Sequence, residues 1–190
     1  MARQETPLGC RLSGAGGAVS VPTAQAVEAL SALAENRRRY VEEVSLVVGR
    51  ECSIANALGV IGERWTLLAL REIMLGVRRF DQIAHNTGAS RDILAARLRK
   101  LVEAGVLEKQ QYEVHPPRYE YVPTEAGRAL VPILHGIMDW GDRYVTDGPA
   151  PTVWEHACGA ELHVRAVCEG CGEPVHPDDL HLVRVGQVRA

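Results

Sequence analysis

The chain has 190 residues, 46% of them apolar, and a formal charge of -3, which supports one domain with extensions and argues against a generic, charge-driven nucleic-acid binder. No apolar run reaches membrane-span length and no secretory pattern opens the sequence, so a cytoplasmic protein without membrane contact is expected. Five cysteines, an odd number with two in a CxxC, do not read as a secreted disulfide framework.

Residues 1–22 are polar and Gly-rich, hold Cys10, and are predicted to be disordered. Residues 23–50 are predicted to be helical, because Val27, Leu30, Leu33, Val41, Val44 and Val48 recur at helical spacing. Arg37-Arg38-Arg39 interrupts that stripe and reads either as a solvated turn of helix or as a phosphate-touching arm. From Glu51 to Gly76 two helices are predicted, with a break around Gly59 and Gly62. Trp65, Leu67, Leu68, Leu70, Ile73, Met74 and Leu75 bury the second, and Trp65 reads as a core anchor. Cys52 stands just before the first of these helices, where a thiol can ionise easily and react. The adjacent Glu51 opposes that, and an inert, buried Cys is the alternative.

Arg79–Asn86 is predicted to form a short helix, followed by the Gly-containing turn Thr87-Gly88-Ala89. The stretch Ser90–Gly105 then reads as a helix with two unlike faces. Ile93, Leu94, Leu98, Leu101 and Val102 fall on one side. Asp92, Ala95, Ala96, Arg99 and Glu103 fall on the other, with Lys100 on its flank. Ser90 suits the N-cap, Asp92 the positive helix start, and Gly105 the stop. Two adjacent alanines let a helix backbone come close to a partner that neighbouring arginines can grip. The DNA major groove, about 12 Å wide, is the natural partner. From Glu63 to Arg118 there are ten Arg or Lys against seven Asp or Glu, a local excess of positive charge in a negative chain.

Leu107–Glu113 and Arg118–Thr124 are predicted strands, and the turn Val114-His115-Pro116-Pro117 between them cannot continue a ladder. Helix, turn, helix and hairpin together make a winged helix-turn-helix. Thr124–Val145 is predicted to be one helix, capped by Thr124 and kinked at Pro132. Its wide apolar side (Leu130, Ile133, Leu134, Ile137, Met138, Tyr144) marks it as a dimerisation helix that packs with the N-terminal one.

Beyond Pro149-Ala150-Pro151, residues 152–190 read as a separate, zinc-ribbon-like tail. The CxxCG of Cys168 and Cys171 is one half of a ribbon. The other half holds Cys158 but has Glu at position 155, where a full ribbon has Cys. His156 completes a candidate Zn2+ set with Cys158, Cys168 and Cys171, and His163, His176 and His181 compete with it. A ribbon folded without metal and a redox CxxC pair are the alternatives.

The motif set CxxxxxL…GxxWT…GxxRF…RLxxL…AG…PPRxEYxxTxxG, from Cys52 to about Trp140, resembles the HxlR family of bacterial transcriptional regulators. The resemblance implies a homodimeric winged helix-turn-helix domain over residues 51–146 that binds double-stranded DNA at a pseudo-palindromic operator. It implies that Ser90 and Arg91 meet phosphate or a base edge, that Arg99 reads a base, and that Arg97 and Lys100 reach phosphate or, for Arg97, brace the fold. Arg118 at the wing tip would touch the minor groove or the backbone, and Arg79 is read as structural. Many relatives have Ser or Thr at the place of Ala95, so one hydroxyl contact is missing here. In some members a cysteine matched by Cys52 senses oxidants or reactive carbonyls, which implies a small-molecule or oxidant effector. A winged-helix protein-interaction module and a CxxC thiol-redox protein are the competing readings. Paired carboxylates, a nucleophile elbow and a phosphate loop are not found, so an enzyme is not expected.

Overall fold

The computed structural model describes residues 24, 28, 31, 32, 34, 35, 38 and 50–188. The separate positions between 24 and 38 are helical and exposed, Arg38 among them. The expectations for 1–22, Arg37, Arg39 and Cys10, and the rest of the N-terminal helix, lie outside the described residues.

The ordered elements are α1 (Ser53–Ile61), α2 (Arg64–Met74), α3 (Phe80–Thr87), α4 (Arg91–Glu103), β1 (Leu107–Glu113), β2 (Arg118–Pro123), α5 (Glu125–Arg128) and α6 (Val131–Tyr144). The fold is mainly helical with one two-stranded antiparallel hairpin, a winged helix-turn-helix. The core lies where α2, α3 and α4 meet. Ala69, Leu70 and Ile73 of α2, Ile83 of α3, and Leu94, Leu98 and Leu101 of α4 are buried there. Their four- and three-residue spacing along α4 puts the last three on one face. Ile93, expected on that face, is exposed at its edge, because it lies about 100° round the helix from Leu94.

The turn between α3 and α4 is locally determined. Gly88 takes a left-handed conformation (φ 73°), which ends α3 without steric penalty. Ser90 then caps α4, its hydroxyl accepting from the Ile93 N–H at 3.4 Å. A buried carboxylate ties α2 to α3. Glu72 accepts from Arg71 Nε at 2.9 Å and Nη2 at 2.6 Å, and from Asn86 Nδ2 at 2.7 Å. Glu72→Ala should therefore destabilise the domain by about 1–3 kcal/mol, since it strands Asn86 and one face of Arg71. A urea titration checks this, and an unchanged midpoint would show that the network contributes nothing.

The hairpin pairs Leu107 with Pro123 and Lys109 with Tyr121, with an irregularity between Gln111 and Glu113. It is anchored to the helices by the chain just before α3. Tyr121 donates its N–H to the Arg78 carbonyl at 2.9 Å, and Arg79 bridges to Glu120. Thr124 locks the far end, its hydroxyl donating to the Gly105 carbonyl at 2.7 Å and accepting from the Gly127 N–H at 3.2 Å. Only glycine fits at 127, where a Cβ would run into the Val106 carbonyl.

The single kinked helix expected over Thr124–Val145 is two helices. α5 ends at Arg128, and Pro132 sits in the first turn of α6. The missing N–H and fixed φ of proline suit a helix start better than its middle, so the chain restarts there. The apolar side of α6 also divides. Leu130 and Leu134 pack against the core, whereas Ile133, Ile137, Trp140 and Tyr144 are exposed.

The tail is extended, with two small knuckles closed by bridges between Glu155 and Glu161 and between Val167 and Pro174. Trp154 docks edge-on against the buried His135 of α6 with ring centroids 5.3 Å apart. Asp139 accepts from the Val164 N–H at 3.1 Å. The chain then returns to the start of the domain. Arg50 pairs with Val188, Glu51 donates its N–H to the Gln187 carbonyl, and Arg50 Nη1 donates to the Gly186 carbonyl at 2.9 Å. Among the described residues no helix is long and apolar enough to cross a membrane.

Candidate nucleic-acid interface

The outward side of α4 carries Arg91, Asp92, Ala96, Arg99 and Glu103, all exposed, with Ala95 half-buried beside them. Arg99 leans toward the wing. Burial pushes the Tyr121 phenol above its ordinary pKa, and the Arg99 guanidinium draws it partly back. Arg91, Ala95 and Arg99, spaced four apart, therefore edge the side of α4 that faces the hairpin. The alanine between two arginines keeps that edge thin.

The other expected residues separate by what they touch. Arg91 pairs with Asp81 at 2.7 Å and lies 4.9 Å over the Phe80 ring. Arg118 pairs with Glu113 at 3.2 Å across the wing. Arg97 points the opposite way, 3.5 Å from the Glu63 carboxylate ahead of α2, with its Nε buried. That geometry braces α4 against α2 and turns the guanidinium away from Arg99. Ser90 serves the helix cap through its hydroxyl. Lys100 is half-buried on the flank of the helix.

Four further residues complete this surface: Arg79, Lys109, Tyr112 and Tyr119. Arg79, Tyr112 and Tyr119 line, with Arg91 and Arg118, a cleft of about 440 Å³ between α3, the start of α4 and the wing. Arg79 lies 4.7 Å over Tyr112, and Lys109 lies 4.1 Å over Tyr119. A cation and at least one tyrosine on each strand, Lys109 with Tyr112 and Arg118 with Tyr119, are the available signal in the sequence. They become a cleft only when the hairpin folds back over the start of α3.

A family model described as HxlR-like helix-turn-helix matches residues 60–148. An uncharacterized HTH-type transcriptional regulator of Mycobacterium tuberculosis is 46% identical over 125 residues, covering 65% of this chain and 79% of the relative. The chain belongs to the HxlR-like helix-turn-helix family. It is a transcriptional regulator of the winged-helix type. YdeP, an uncharacterized HTH-type transcriptional regulator of Bacillus subtilis, is 32% identical over 94 residues, 49% of this chain and 73% of the relative. PA1607, a candidate transcription factor of known crystal structure, superposes with a TM-score of 0.62 at 35% identity, covering 70% of this chain and 94% of that one. PA1374 from Pseudomonas aeruginosa, another candidate transcription factor, gives 0.50 at 32% identity over 69% of this chain and 90% of its own.

In this HxlR-like chain Cys52 occupies the N-cap of α1, half-buried, and its thiol makes no capping bond. The tail thiols are exposed. The expected set of His156, Cys158, Cys168 and Cys171 is not assembled: among the described residues no three His, Cys, Asp or Glu are grouped so as to hold a metal ion. Each knuckle keeps to itself. His156 Nδ1 lies 3.2 Å from Cys158 Sγ and holds that thiol below the usual range, helped by the Ala160 backbone. Backbone N–H groups of Cys171 and Gly170 do the same for Cys168. His163 is 3.6 Å from Glu161 instead of joining either knuckle.

Proposed function

We propose that this chain is a sequence-specific DNA-binding regulator that acts as a homodimer on a two-fold related operator. In this reading α4 enters the major groove and the β1–β2 wing follows the adjacent backbone. The observation that carries it is the exposed, alanine-thinned edge of α4, with Arg91 and Arg99 facing the cation-lined wing. Arg99, exposed on the outward side of α4 and, among the described residues, free of a carboxylate pair such as holds Arg91 to Asp81, is the base reader, and its bidentate match is guanine.

The homodimer is supported by the exposed stripe Ile133, Ile137, Trp140 and Tyr144 along α6, together with exposed Ile54 and Leu58 on α1. An apolar face of this kind on a folded domain calls for a cover, and a second copy supplies one. The two recognition helices would then sit about 34 Å apart.

Footprinting on DNA upstream of its own gene, with binding followed against salt, tests the proposal. A protected pseudo-palindrome whose affinity falls steeply with salt is the expected result. No salt-sensitive binding would favour a protein-interaction module instead.

Cys52 is the proposed sensor of oxidants or reactive carbonyls, supported by its place at the N-terminus of α1. Cys52→Ser should bind the operator as wild type does but fail to release it on treatment with peroxide or an aldehyde. If the variant still responds, Cys52 is not the sensor.

A further inference from the structure

We infer that the cleft between α3, the start of α4 and the wing seats one DNA backbone phosphate, with Arg79 as its anchor and Asp81 and Glu113 as counter-anions that DNA displaces. The inference rests on the DNA-binding reading above and names a contact that reading leaves out.

Three guanidinium groups from three separate elements, Arg79, Arg91 and Arg118, converge on the cleft. Each of its aromatic walls has a cation stacked over it. Arg91 covers Phe80 at 4.9 Å, Arg79 covers Tyr112 at 4.7 Å, and Lys109 covers Tyr119 at 4.1 Å. The rings therefore act as plates that hold cations in place, and what the cleft presents is positive charge. A phosphodiester fits that chemistry better than an aromatic effector.

The three arginines are not equally available. Arg91 is held by Asp81 at 2.7 Å and Arg118 by Glu113 at 3.2 Å. The first pair is largely in solvent, with 71% and 79% of the Arg91 and Asp81 side chains exposed, and the second is about half exposed, at 57% and 42%, so both are weak and exchangeable. Arg79 has no carboxylate partner among the described residues. Its backbone is fixed by the bridge to Glu120 and by its carbonyl accepting from the Ile83 N–H at 3.0 Å. A cation that is unpaired, held over a ring and pinned at its backbone loses little freedom on meeting a phosphate. Arg79 is thus the preorganised anchor. When Arg91 and Arg118 turn to the same phosphate run they must first leave their carboxylates.

The test measures binding of wild type, Arg79→Gln and Asp81→Asn to the footprinted duplex and to a scrambled duplex of equal length, across a salt series. Arg79→Gln should weaken both duplexes by the same factor and flatten the salt slope by about one. Asp81→Asn should tighten both, most at low salt, because it removes a competitor for Arg91 without touching the backbone. Thermal unfolding should be unchanged in both variants. Unchanged affinity and slope in Arg79→Gln, or weaker binding by Asp81→Asn, would overturn the inference while the DNA-binding reading stood. If wild type bound no duplex at all, that reading would itself fail and take this contact with it.

Discussion

Leu98→Ala should lower the stability of the domain by about 2–5 kcal/mol, a large share of what a domain of this size holds in reserve. Leu98 is fully buried, at the centre of the cluster where α4 meets α2 and α3. Truncation removes its transfer energy and leaves a cavity bounded by Leu94 and Leu101 on the same helix, which cannot both move in. The measurement is a urea titration, in which the midpoint should fall with the slope unchanged. DNA affinity of the protein that remains folded should be nearly that of wild type, because the lost atoms face away from the groove. A fall of less than about 1 kcal/mol would show that α4 is not held by this cluster.

One residue further along the same helix the effect should reverse. Arg99→Ala should leave the unfolding midpoint within about 0.5 kcal/mol of wild type, as exposed positions do. It should cost about 1–3 kcal/mol of specific binding and relax the preference at one base position per half-site. Loss of a phosphate contact would instead weaken every sequence alike, so comparing operator and scrambled duplexes separates the two roles. An unchanged binding profile would remove Arg99 from the reading set. Leu98 and Arg99 are thus neighbours in sequence with opposite signatures, one read in denaturant and the other on DNA. The reason is geometric: successive residues on a helix point about 100° apart.

That geometry explains why much of this molecule is legible before folding. The two faces of α4, its Ser90 cap, the glycine stop of α3 and the bounds of the hairpin all follow from rules that act within a turn or two of chain. Pro132 shows the limit of such rules. A proline forbids the middle of a helix, but whether it kinks one or starts another depends on what the flanking residues pack against. Here Leu130 and Leu134 reach the core, and the chain restarts between them.

Read alone, the sequence determined the helix-turn-helix, the wing and the arginine-bearing edge of α4, because periodicity, caps and turn residues are local. The tertiary structure alone decided which arginines share a surface. Folding the hairpin back over α3 brings Arg79 beside Arg91 and Arg118, while Arg97 on the same helix as Arg91 is turned to Glu63. It also decided that the knuckles of Cys158 and Cys168 stand apart and that the chain end returns to Arg50. Those are distances between segments far apart in the chain. No spacing of residues encodes them until the core has set the elements against one another.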